Sequence, residues 1–252
     1  SSLQTAWDRA GVATWSVREQ AFDAAGQQLT LRVTNDDGSA YRAQWDRANS
    51  LAWSVPEQNF TSAGDLLSSK VVADDGSVYR ATWDRAALAP WALLEQTYNP
   101  ACALLGQKFL NDNGSTYEAR WDRADAASWW LREQAFDAGG QLTVQRVTGD
   151  DGAIYQATWD RADQQAWDRR EQSFDAAGAL VVLKVVNDDG SSYLSTWDRV
   201  DAAAWAQREE SFDTAGLVTT RRLSNDDGSV NDARWDRADT EPWASNERTF
   251  DA

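Results

Sequence analysis

Asn35-Asp36-Asp37-Gly38-Ser39-Ala40-Tyr41-Arg42-Ala43-Gln44-Trp45-Asp46-Arg47 is one copy of a pattern that returns every 38 residues along the chain. Trp-Asp-Arg begins at Trp7, Trp45, Trp83, Trp121, Trp159, Trp197 and Trp235, with no insertion or deletion between copies. A second Trp follows eight positions later, at 15, 53, 91, 129, 167, 205 and 243. With Trp130 these are all fifteen tryptophans of the chain. Recurrence at one fixed period is the signature of a repeat array, in which a single unit is too small to bury its own apolar surface and relies on its neighbours. The seven Trp-Asp-Arg tryptophans are therefore the structural anchors of the repeat.

Each unit reads as three short strands. Trp15 to Phe22 is the first. Asp23-Ala24-Ala25-Gly26 is a tight turn, in which glycine supplies a positive φ. Leu29 to Asn35 alternates Leu29, Leu31 and Val33 with Thr30, Arg32 and Thr34, the period of a strand. Asn35 to Gly38 fits a type I turn closed by a glycine bulge. Ser39 to Trp45 is the third strand, with Tyr41, Ala43 and Trp45 on one face. The connector from Asp46 to Ala52 reads as a helical turn. Three strands is an odd number, so in a plain meander successive units run in opposite directions. A two-fold axis normal to the sheet would then relate neighbours and keep like faces on one side; a long return connector is the alternative.

Other columns keep the same phase. Glu recurs at 19, 57, 95, 133, 171, 209 and 247, and Lys or Arg at 32, 70, 108, 146, 184 and 222. A short turn joins their two strands, so cross-strand ion pairs are expected, worth roughly 0.2–1 kcal/mol each when exposed. The arginine of each Trp-Asp-Arg is placed to stack on a tryptophan. Stacked units should build a core dominated by the Trp, Phe and Tyr columns.

Phe174-Asp-Ala-Ala-Gly-Ala-Leu180 resembles the Tyr-Asp-x-x-Gly-x-Leu element of YD/Rhs-type repeats, and Asp36 to Asp46 is similar to the second half of such a unit. The resemblance implies a winding antiparallel sheet and an extracellular or cell-surface setting in a large bacterial protein. The present unit is longer, and Trp replaces most of the Tyr.

Composition narrows the function. The formal charge is −16, with no histidine and one cysteine, Cys102. A negative surface does not suit nucleic acid, whose phosphates require basic groups. Without histidine, the commonest general base and metal ligand is missing. A lone cysteine excludes an intrachain disulfide and a CxxC zinc site. No apolar run reaches the ~18 residues of a membrane helix. A catalytic carboxylate pair should occur once, whereas every carboxylate here recurs with the repeat, so no enzyme is expected. The departures from the repeat are Cys102 at a turn-glycine position, Asn99-Pro100, Trp130 and Asn231.

The Asp-Asp-Gly turns offer one metal reading. Calcium favours oxygen clusters on tight turns, which makes Asp36, Asp37, Asp74, Asp75, Asp150, Asp151, Asp188, Asp189, Asp226 and Asp227 its candidates. Asp and Gly are equally what such a turn requires for backbone reasons. No other cofactor is indicated.

The chain opens on Ser1, without an initiator methionine and in mid-repeat, as expected of an excised or processed segment. Residues 1–252 read as one continuous array: six full units plus one partial unit. A closed ring needs a whole number of units, and 252 is not a multiple of 38, so an open superhelical β-solenoid-like array is expected, with a β-propeller as the alternative. Open ends expose strand edges, which favours self-association into fibres. The expected role is a structural or adhesive repeat segment of an extracellular bacterial protein. A multivalent carbohydrate-binding repeat is the alternative, its tryptophans serving as sugar-stacking platforms.

Overall fold

The computed structural model describes residues 1–252 and contains twenty β-strands and no helix. Six repeats each contribute three strands, called here A, B and C. In the first they are Trp15–Phe22, Gln28–Asn35 and Ala40–Gln44. An extra C strand, β1 (Ser2–Trp7), precedes them, and an extra A strand, β20 (Ser245–Phe250), follows them. By contact the chain divides into Ser1–Arg123 and Ala124–Ala252. Within each unit every strand pairs antiparallel with the strand before and the strand after it, and packs against no other.

Each unit is therefore a sheet one layer thick. The accessible surface of the chain, 15279 Å², exceeds the about 11,000 Å² expected of a compact chain of its mass. The expected aromatic core is absent for the same reason. Without a second layer to cover them, the Trp, Phe and Tyr columns are at best half-buried. The buried column is instead Ala43, Ala81, Ala119, Ala157, Ser195 and Ala233. Ala43 lies between Tyr41 and Trp45 on one face and opposite Leu31 and Glu57 on the flanking strands. Four larger side chains overhang a single methyl group, which closes it off from water without any facing sheet.

The strand register corrects the expected symmetry. Directly opposed residues share a face of the sheet. Glu19 opposes Arg32, Arg32 opposes Arg42, Arg42 opposes Gln58, and the ladder runs on through Ser69 and Ala81 to Glu95. Glu57, between Ala43 and Lys70, is on the other ladder and hence the other face. In the second unit Glu171 and Glu247 share a face and Glu209 takes the opposite one. A two-fold axis normal to the sheet would keep every Glu on one side. Alternation requires a two-fold screw along the stacking direction, which reverses strand direction and turns over the face at each step. Equivalent side chains thus recur on one face every six strands, about 29 Å at the usual strand spacing.

The connector is not helical. It is an irregular loop in which Asn49, Ala87, Asp125, Asp163, Asp201 and Asp239 hold φ between 50° and 57°. Asn and Asp tolerate this left-handed region better than other side chains, which explains their prevalence at the position.

Candidate binding surface

The Trp-Asp-Arg triplet is a fastening for the connector. The Asp46 carboxylate accepts from Leu51 N at 2.6 Å and Asp84 from Ala89 N at 2.5 Å. Asp198 accepts from Val200 N and Ala203 N. The arginine reaches back to strand B. Arg47 Nε donates to the Gln28 carbonyl at 3.2 Å, Arg161 to Leu142 at 3.1 Å and Arg237 to Val218 at 2.9 Å. As expected, the guanidinium also lies over the tryptophan, 5.8 Å from the ring centre for Arg161 on Trp159 and 5.9 Å for Arg199 on Trp197. Trp45, Trp83, Trp121, Trp159, Trp197 and Trp235 are half-buried, while Trp7 on β1 is 58 % exposed.

The calcium candidates fall into two classes. The second carboxylate of each pair engages its own turn: Asp37 accepts from Ser39 N at 2.8 Å, Asp75 from Ser77 N at 2.8 Å, Asp151 from Ala153 N at 2.9 Å, and Asp189 and Asp227 from Ser191 N and Ser229 N. Hydrogen bonds from the serine side chain and amide hold Asp37, Asp75, Asp189 and Asp227 below the ordinary carboxylate range. The first carboxylates, Asp36, Asp74, Asp150, Asp188 and Asp226, sit at the solvent-exposed rim of the turn. Asp188 is pushed up, first by partial desolvation and then by the carboxylates of Asp163, Asp160, Asp168 and Asp189. Asp23 and Asp175 cap the other hairpin turn through the amides of Ala25 and Gln27, and of Ala177 and Ala179.

The expected Glu–basic pairs form in three copies: Glu19–Arg32 at 3.8 Å, Glu57–Lys70 at 3.1 Å and Glu133–Arg146 at 3.4 Å. Elsewhere partners are exchanged. Lys108 turns to Glu118 at 3.3 Å and Arg222 to Asp232 at 3.9 Å, while Glu95 and Glu209 accept from the hydroxyls of Tyr79 and Tyr193 at 2.5 Å. Burial, then the carboxylate, raises both phenols, Tyr79 to about 12. These groups line an open depression of about 270 Å³ formed by Tyr79, Glu95, Lys108 and Glu118, among others. Its counterpart three repeats on, about 250 Å³, is lined by Tyr193, Glu209, Arg222 and Asp232. A phenol, carboxylates and a cation around an open depression lined mostly by polar residues can hydrogen-bond a polyhydroxylated ligand from several sides.

The Tyr–Glu bond was not anticipated from the columns, since the two residues lie sixteen apart in different repeats. The alternation within Tyr-x-Ala-x-Trp was the signal for the buried alanine. Trp130 lies at the strand irregularity between Trp129 and Leu131 and is 43 % exposed, and Asn231 accepts from Thr249 Oγ1 where other copies carry tyrosine.

No protein-family model and no curated protein matches the chain. Among solved structures, AztD of Citrobacter koseri is 10% identical over 91% of this chain and 74% of its own, with a TM-score of 0.16. Human WBSCR16 is 9% identical over 77% and 74%, with a TM-score of 0.14.

Proposed function

We propose that the chain is a structural repeat segment, an open superhelical array that spaces or displays other parts of a surface or secreted bacterial protein. The observation that carries this reading is the strictly sequential pairing of strands under a two-fold screw, which adds the same increment of sheet with every 38 residues. Such an object grows in length and acquires no interior. Its carboxylates recur with the repeat, so no single position is singled out for catalysis. Small-angle X-ray scattering tests the proposal: a rod-like distance distribution supports it, and a disc-like one replaces it with a closed propeller.

The half-exposed aromatic columns and the recurrent Tyr-Glu depressions favour a second reading, a multivalent carbohydrate binder. Two weak sites three repeats apart would gain strength through avidity. A glycan array, followed by titration to millimolar sugar, decides it; no binding at that concentration removes the reading.

A further inference from the structure

The charge of −16 is unevenly placed. Every aspartate except Asp168 and Asp232 lies outside the strands, mostly in the turns and connectors that form the rims of the sheet. Every lysine and arginine lies within a strand, except the arginines of Trp-Asp-Arg. The rims are therefore anionic and the faces carry the cations, so the net charge does not exclude an anionic ligand from a face.

In the first repeat Arg32 on strand B and Arg42 on strand C are directly opposed. Like charges in that position, with Cβ atoms about 5 Å apart, are unfavourable. At the same position of later repeats Lys108 meets Glu118, Lys184 meets Leu194 and Arg222 meets Asp232. Lys70 opposes Arg80, but Glu57 holds Lys70 at 3.1 Å. Glu19 stands 3.8 Å from Arg32, beyond hydrogen-bonding distance. Arg42 is stacked on Phe60, its guanidinium 4.8 Å from the ring centre, which fixes the group and leaves its N–H edge open. The two arginines line an open depression of about 290 Å³ with Thr30, Gln44, Pro56 and Gln58. The register places all six side chains on one face, and no carboxylate is among them.

We infer that this depression binds an anionic sugar unit of an acidic glycan, its carboxylate or sulfate seated between Arg32 and Arg42. An anion there removes the repulsion of the opposed pair and accepts paired hydrogen bonds from the planar guanidinium forks. The Thr30 hydroxyl and the amides of Gln44 and Gln58 both donate and accept, which suits ring hydroxyls beside the anion. The Pro56 ring offers an apolar surface to the C–H face of the sugar. A single opposed pair between aspartate-rich rims fits an isolated charged group better than the dense phosphates of nucleic acid. The inference rests on the carbohydrate reading, but on a site that shares no side chain with the Tyr-Glu depressions.

Isothermal titration calorimetry of the 252-residue chain tests it with tetragalacturonate, the full methyl ester of that tetramer, and a sulfated galactose tetrasaccharide. At least one anionic probe should bind, and which one does so names the anion as carboxylate or sulfate. The uncharged ester should bind at least about tenfold more weakly than that probe. Arg42→Gln should weaken the anionic probe about tenfold. Arg80→Gln, at the same position one repeat on but on the opposite face, should leave it unchanged. Equal losses in the two variants overturn the inference, as does an ester that binds as well as the anionic probes. The comparison of probes uses the parent chain alone, so it decides the matter even if a variant fails to fold. If the ester binds and the anionic probes bind no better, the anion site alone is wrong; if no probe binds at millimolar concentration, the carbohydrate reading fails with it.

Discussion

The Tyr79 hydroxyl donates to Glu95 Oε1 at 2.5 Å, tying the third strand of one repeat to the first strand of the next by side chains as well as by the ladder. In a single-layer sheet such junctions matter more than usual, because no second sheet clamps neighbouring units together. Coupling between adjacent repeats is what makes an array fold as one object.

Tyr79→Phe should therefore destabilise the chain by about 0.5–1.5 kcal/mol at neutral pH, the range for one hydrogen bond. Urea unfolding followed by tryptophan fluorescence reads it. The pH dependence has a definite sign. Burial, and then the Glu95 carboxylate, raise the phenol to about 12 from an ordinary 10.0. The stability linked to it is full below pH 10 and is lost as pH rises towards 12. The variant should show a shallower loss across that window than the parent chain, and identical slopes would contradict the bond.

Ala157 is fully buried, opposite Gln145 and Glu171 and between Tyr155 and Trp159. Ala157→Leu should cost about 1–3 kcal/mol, because added methylenes in a closed site force the neighbours off their rotamers. Ser195 holds the same position and accepts from Gln207 Nε2 at 3.1 Å. Ser195→Ala should be nearly neutral, since the glutamine can turn to water. Comparable losses for both substitutions, measured by thermal melts, would show that the column is not sterically closed.

The period, the strands and both hairpin turns were legible in the sequence because they depend on local alternation and on Gly and Asp at fixed offsets. Trp15–Phe22 has the same bounds in the sequence and in the structure, and strand B differs by one residue. The symmetry was not legible. It depends on which residue of C opposes which residue of A across the connector, a long-range register that alternation within one strand leaves open. The core was not legible for a related reason: an aromatic column announces apolar area, but only a covering layer buries it. The stacking of Arg47 on a tryptophan is legible from adjacency in sequence, whereas the bonds of Asp46 to Leu51 N and of Arg47 to the Gln28 carbonyl depend on the path of the connector.

The connector carboxylates supply a third prediction. Asp198 accepts from the amides of Val200 and Ala203. Asp198→Ala should cost about 1–2 kcal/mol, comparable with the loss of a helix cap. Asp37, Asp75, Asp189 and Asp227 are lowered by their serine bonds, so their contribution is full above the ordinary carboxylate range and is lost as pH falls through and below it. Acid titration by circular dichroism should show cooperative loss of sheet beginning under about pH 4. Melting in calcium and in chelator should give one midpoint if the turns are held by their own amides, because a ligand bound only to the folded state would raise it.

Cys102 adopts φ +61° at the turn position where Gly26, Gly64, Gly140, Gly178 and Gly216 hold φ between 77° and 89°. Its amide donates to the Asn99 carbonyl at 2.9 Å, so the turn closes as in the other copies despite the side chain. A non-glycine residue in the left-handed region carries roughly 1–2 kcal/mol of strain, offset in part by the smaller entropy of its unfolded chain. A Cβ at the equivalent glycines meets no atom within 4 Å, so the cysteine side chain gains little packing in return. Cys102→Gly should accordingly raise stability by about 0.5–1 kcal/mol, whereas Gly178→Cys should lower it by a similar amount. Paired urea titrations of the two variants under reducing conditions measure both signs, and a destabilised Cys102→Gly would mean that the thiol makes a contact that outweighs its backbone strain.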